Sequence, residues 1–137
     1  MSVPVNQRTQ GELEVNVKAR TLCVYTLKIT ANEKHFPVEQ KAFTEKIRTA
    51  SIDIYTLCWE ANNIRVDGRM DRYLRRIALQ ETAADKCNTL CALIEIAKSL
   101  FHLSSKRCIY WIDQTVKLRA MIRAWANSDL KRLKPAD

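Results

Sequence analysis

The sequence predicts an all-α protein, an antiparallel up-down-up-down bundle of four helices. Three observations carry this. Glycine and proline are scarce, two and three in 137 residues, whereas an all-β chain needs a turn about every 8–12 residues. Apolar residues recur at steps of three and four through most of the chain. The breaks between these runs are short, which sets successive helices side by side in opposite directions. A hydrophobic content of 47% with 28% charged residues supplies a core and a polar surface. The length suits one domain.

Helix 1 is expected from about Glu12 to Glu33, after a flexible segment over 1–11. Val15, Ala19, Leu22, Tyr25 and Ile29 form its apolar stripe. "KHFP" at 34–37 stops it, because a residue before proline is pushed out of the helical region. Helix 2 is expected from about Val38 to Asn63. Pro37 suits its first turn, and Glu39 suits its positive end. Phe43, Ile47, Ala50, Ile54, Leu57 and Ala61 make a seam of about 3.5 residues per turn. "ANN" at 61–63 ends it, since Asn tolerates a left-handed C-cap. "VDG" at 66–68 is a tight connection, with Asp67 expected to cap helix 3 and Asp71 in its first turn. Helix 3 runs to about Phe101. "HLSS" at 102–105 breaks it, and Ser104 or Ser105 caps helix 4. Cys108, Trp111, Thr115, Leu118, Ile122 and Trp125 form the seam of helix 4. The bundle is thus expected over 12–127, followed by a basic, disordered tail, "SDLKRLKPAD", over 128–137.

The net charge is +8, which favours polyanionic partners. It is concentrated. Residues 65–76, "RVDGRMDRYLRR", hold five Arg against two Asp, and residues 104–137 hold eight Lys or Arg against three Asp. These segments carry +3 and +5, the whole excess. Arginines at a helix N-terminus oppose the helix dipole, so folding alone does not call for them.

At about 100° per residue, Met70, Tyr73, Leu74 and Ile77 share one face of helix 3, and Arg69, Arg72, Arg75 and Arg76 the opposite one. Past Ile77 the pattern changes. Leu79, Ala83, Leu90, Ile94, Ala97 and Phe101 continue the line of the arginines. Met70, Tyr73, Leu74 and Ile77 are therefore expected to meet a second subunit. Arg119 and Arg123 of helix 4 are expected to join the helix 3 arginines at one end of the bundle. The anion-binding surface expected is Arg65, Arg69, Arg72, Arg75, Arg76, Arg119 and Arg123, extended by Lys131 and Arg132. The planar fork of arginine suits phosphate. No base-reading motif accompanies it, so backbone binding with strong salt dependence is expected.

Catalytic chemistry is not indicated. The chain has no Gly-rich phosphate loop, no His-Glu-x-x-His and no nucleophile elbow. Cys87 and Cys91 are spaced i, i+4 but no second Cys or His pair accompanies them. With Cys23, Cys58 and Cys108 they read as small buried hydrophobes in a reducing compartment. No metal, cofactor or enzyme activity is expected. No apolar run approaches the ~20 residues of a membrane span, and the first residues lack a stretch of signal-peptide length. A cytoplasmic protein without a membrane partner is expected.

"HFPVEQKAFTEKIRTASIDIYTLCWEANNIR" at 35–65 resembles the FP-x-helix-"IR-x-A-x-x-I" signature of a small bacterial four-helix-bundle family. That family includes proteins encoded in ribosomal RNA intervening sequences and the accessory variability determinant proteins of diversity-generating retroelements. "RYLRRIALQETAADKCNTLCALIEIAKSL" and "LSSKRCIYWIDQTVKLRAMIRAWANSD" are closer to the accessory branch. The "NIAEG" ending typical of the ribosomal branch is replaced by "EANNIR". The resemblance spans roughly residues 15–130. It implies four-helix protomers in a barrel- or ring-shaped homo-oligomer, a pentamer. It also implies a bacterial or phage-encoded protein that binds a reverse transcriptase and its template RNA, and by the same backbone chemistry DNA, in support of mutagenic cDNA synthesis. Two other readings stand beside it, a structural adaptor for a protein partner and a ribosome-associated protein of the intervening-sequence branch.

Overall fold

The computed structural model describes the backbone over residues 5–133 and side chains over 14–133. Four α-helices follow one another: α1 (Val5–Thr30), α2 (Lys41–Asn63), α3 (Met70–Phe101) and α4 (Ser105–Leu133), with a 3-10 turn at Val38–Gln40 before α2. There is no strand among the described residues. No described helix is long and apolar enough to cross a membrane.

Each break has a local cause. α1 ends at Thr30, earlier than Glu33, because Asn32 organises the turn. Its carbonyl accepts from the Phe36 amide at 2.9 Å and its Oδ1 from the Lys34 amide at 3.0 Å. Pro37 holds an extended backbone and the chain enters α2 through a 3-10 turn, a common form at helix ends. Asn63 does not supply a left-handed cap. Ile64 is extended instead, and Gly68, at φ +90, makes the reversal that a side chain would resist.

Asp67 does not cap α3. Arg69 occupies that position without a capping side-chain bond, while the Asp67 carboxylate accepts from Arg72 Nη1 at 3.1 Å. At the far end, His102 turns left-handed and the Leu103 amide donates to the Lys98 carbonyl at 3.2 Å, a Schellman-type closure. Ser104 then caps α4, its Oγ accepting from the Arg107 amide at 3.1 Å.

All four helices contribute to one core. Val15, Ala19 and Leu22 come from α1, Ile47 and Ile54 from α2, Leu90 and Ile94 from α3, and Trp111, Leu118 and Ile122 from α4. Trp111 is wholly buried, and its Nε1 donates to Thr26 Oγ1 at 3.0 Å, so the indole brings its polar atom inside with a partner. Phe36 plugs the end of the core, edge-on to Phe101 at 5.4 Å and to Trp111 at 6.3 Å. In α2 the buried residues are Thr44, Ile47, Ala50, Ser51, Ile54, Cys58 and Ala61, while Phe43 and Leu57 are only partly buried. Ile47, Ala50, Ile54 and Ala61 are thus buried as expected, and the seam is a step away from the more hydrophobic residue at two positions, Thr44 beside Phe43 and Cys58 beside Leu57. Cys23, Cys58, Cys87 and Cys108 are buried free thiols, and Cys91 is half-buried. Burial pushes Cys58 and Cys87 up to about 12.

Two expectations for the termini are corrected. α1 already spans Val5, and residues 1–4 of the expected flexible segment lie outside the described residues. α4 continues through residues 128–133, expected to be frayed, and Asp129 within them is fully buried. Residues 134–137 lie outside the described residues.

The face of α3 does not shift after all. Its buried residues run Arg76, Gln80, Ala83, Cys87, Leu90, Ile94 and Ala97, alternating steps of four and three without interruption. The seam is continuous, but its first two members are polar. Ile77 is buried beside them, so the one-subunit structure already covers a residue expected at a subunit interface. Tyr73 is half-buried, and Met70 and Leu74 remain exposed at 61% and 51%.

Candidate nucleic-acid interface

The end of α2, the turn after it and the start of α3 enclose an open cleft of about 650 Å³. Trp59, Glu60 and Asn63 line its α2 wall. Arg65 comes from the turn, Arg69 from the edge of α3, and Arg72 and Arg75 from its first two turns. Ile64 and Asp71 complete the lining. Helical spacing explains the convergence: 69, 72 and 75 are three apart, so they stack on one face. Against these four arginines the lining sets two carboxylates, Glu60 and Asp71.

The arginines differ in their engagements. Arg72 ties the turn together, with Nη1 donating to the Arg65 carbonyl at 3.3 Å and to Asp67 at 3.1 Å. Arg69 forks onto Asp71 at 3.3 and 3.4 Å. Both pairs are solvent-exposed, and such pairs contribute only about 0–1 kcal/mol, so a phosphate can compete for the guanidinium groups. Arg65 and Arg75 form no ion pair among the described residues.

Arg76 leaves this surface. Its side chain is 3% exposed and reaches into the bundle to Asp129, which is 0% exposed. Nε donates to Oδ2 at 2.8 Å and Nη2 to Oδ1 at 2.5 Å, a bidentate fork. Gln80 Nε2 adds a third bond to Oδ2 at 2.8 Å. The guanidinium also lies 5.9 Å from the Tyr73 ring centre and 5.7 Å from that of Trp125. Desolvation explains the placement: a buried carboxylate requires a charged and hydrogen-bonded partner. The only signal in the sequence was the heptad step from Arg76 to Gln80 to Ala83.

Arg119 and Arg123 do not join the cleft. Arg119 Nη1 donates to Asn88 Oδ1 at 2.5 Å, and Asn88 lies about 20 Å along α3 from Arg75 at 1.5 Å per residue. The reason is the length of α4. Because it continues to Leu133, Arg119 and Arg123 fall in its middle, and the part that meets the start of α3 is the segment around Asp129. Arg123 is exposed and Arg119 partly so. Lys131 and Arg132 are exposed near that end, and Arg132 Nη1 approaches Asp129 Oδ1 at 3.4 Å.

Trp59 lies off the helix 2 seam. Its place in the cleft depends on where α2 ends, which spacing alone does not give. Elsewhere, a more apolar groove of about 310 Å³ lies between α1 and α4, lined by Val17, Leu22, Tyr25, Tyr110, Leu118 and Met121 with Lys18 and Lys117 beside them. No group of three or more His, Cys, Asp or Glu is placed to hold a metal ion among the described residues. Comparison of the chain with protein-family models, with curated proteins and with solved structures finds no match.

Proposed function

We propose that this chain is a non-enzymatic accessory protein that binds the phosphate backbone of RNA, and of the cDNA made on it, through the cleft of Arg65, Arg69, Arg72 and Arg75. In this reading it works beside a reverse transcriptase in a diversity-generating retroelement, as the resemblance of residues 15–130 implies. The observation that carries the binding role is the convergence of these arginines on one open cleft. Fixed guanidinium groups at a helix N-terminus are mildly unfavourable for the helix and favourable for an anion.

The same reading takes the helices as antiparallel, up-down-up-down, supported by the pairing of Arg76 with Asp129 and of Asn88 with Arg119. It takes copies of the chain as a ring-shaped oligomer, supported by the exposure of Met70 and Leu74 beside the cleft. The test of the binding role is charge reversal of the two arginines without ion pairs. Arg65→Glu with Arg75→Glu abolishes RNA retention on filters at low salt and leaves the helical circular dichroism unchanged. Retention equal to that of the unaltered protein refutes the role.

A second reading, a structural adaptor for a protein partner, draws on the apolar groove between α1 and α4. It predicts little nucleic-acid binding at any salt concentration. A neighbouring reverse-transcriptase gene with a short repeat separates the retroelement setting from a ribosomal RNA operon.

A further inference from the structure

The two walls of the cleft are chemically different. The turn and α3 supply the guanidinium groups, and α2 supplies an indole, a carboxylate and an amide. Trp59 is 54% exposed. No ring or cation contact covers it among the described residues, whereas Arg76 lies against Tyr73 and Trp125. Its main chain is nevertheless fixed. It stands on the last turns of α2, and Asn63 Nδ2 donates to its carbonyl at 3.0 Å. The next residue, Glu60, sets a carboxylate on the same wall. A phosphate is repelled there, and an uncharged aromatic group is not.

Resting on the reading of the cleft as a polyanion site, we infer that its ligand is single-stranded nucleic acid, with one unpaired base stacked on the Trp59 indole and the adjoining phosphates on Arg65, Arg69, Arg72 and Arg75. A duplex keeps its base faces inside the stack and offers the indole nothing flat to cover. An unpaired base presents a π-face, and every base does so, which makes the contact tolerant of sequence. A basic track beside an aromatic platform is the general solution for strands of this kind. The arrangement thereby selects for strandedness without a base-reading motif.

The test uses the full chain, a short oligouridylate and a duplex RNA of the same length. Trp111 is 0% and Trp125 8% exposed, so Trp59 is the indole within reach of a ligand. Oligouridylate is expected to quench tryptophan emission, and the duplex is not. Trp59→Ala weakens oligouridylate binding roughly 5- to 150-fold, Trp59→Phe retains most of the affinity, and duplex binding is unchanged in both. Trp59 is surface-placed, and an unchanged melting temperature verifies that the variants fold. If Trp59→Ala leaves oligouridylate affinity unaltered, or weakens duplex binding equally, the stacking inference is wrong while the polyanion reading stands. If neither RNA binds at low salt, both fall. Quenching by oligouridylate that vanishes in Trp59→Phe while affinity persists supports the inference.

Discussion

Removing Asp129 tests the interior of the bundle most severely. Its carboxylate is 0% exposed and accepts two bonds from Arg76 and one from Gln80. Asp129→Ala removes the carboxylate that forks onto the Arg76 guanidinium, which is 3% exposed. Breaking a buried pair from one side costs about 3–5 kcal/mol, which is a large share of the ~5–15 kcal/mol that holds a domain folded. The double change Arg76→Met with Asp129→Leu removes both charges and keeps apolar volume, and such replacements are often neutral or stabilising. The double change still leaves the buried Gln80 amide without its acceptor, at a cost of about 1–3 kcal/mol, so the predicted order of stability is wild type, then the double variant, then Asp129→Ala. Urea unfolding followed by circular dichroism measures it. A loss under ~1 kcal/mol in Asp129→Ala, the value of a surface pair, refutes the burial of Asp129 and with it the helical continuation of α4 to Leu133.

Two further outcomes follow from the core. Thr26→Val removes the acceptor of the buried Trp111 Nε1 and is expected to cost about 1–3 kcal/mol through the unsatisfied indole N–H; a melting temperature equal to wild type contradicts this. Burial raises Cys58 and Cys87 from 9.0 to about 12, so the folded thiols stay protonated where unfolded ones ionise. Their contribution is present below pH ~9 and is lost as pH rises toward ~12. Urea midpoints should fall over that window and recover in Cys58→Ala with Cys87→Ala relative to each variant's neutral-pH value. A flat pH profile in the parent chain contradicts the burial of the thiols.

The helices and most of the core were legible because apolar periodicity and scarce Gly and Pro leave few alternatives. Trp111, Leu118 and Ile122 are where the helix 4 seam puts them. The start of α3 was misread for a physical reason. Periodicity recognises a core by hydrophobicity, and here two core positions are Arg76 and Gln80. Their justification, Asp129, lies 53 residues away from Arg76 in the chain and in a segment whose composition resembles a tail. Once that pair is known, the apparent change of face disappears and Ile77 belongs inside. The cleft was half legible. The arginines announced themselves by density, while Trp59 joins them only through the places where α2 ends and α3 begins. Arg119 and Arg123 were assigned to the wrong level because the length of α4 fixes the register with α3.

The salt dependence of RNA binding tests the central claim most directly. If four arginines of the cleft each neutralise a phosphate of a single strand, log affinity falls against log salt with a slope of about −3, from ~0.7 counterions released per contact. Arg65→Glu with Arg75→Glu should flatten that slope. An affinity that does not change with salt, or no binding at the lowest salt tested, contradicts the account.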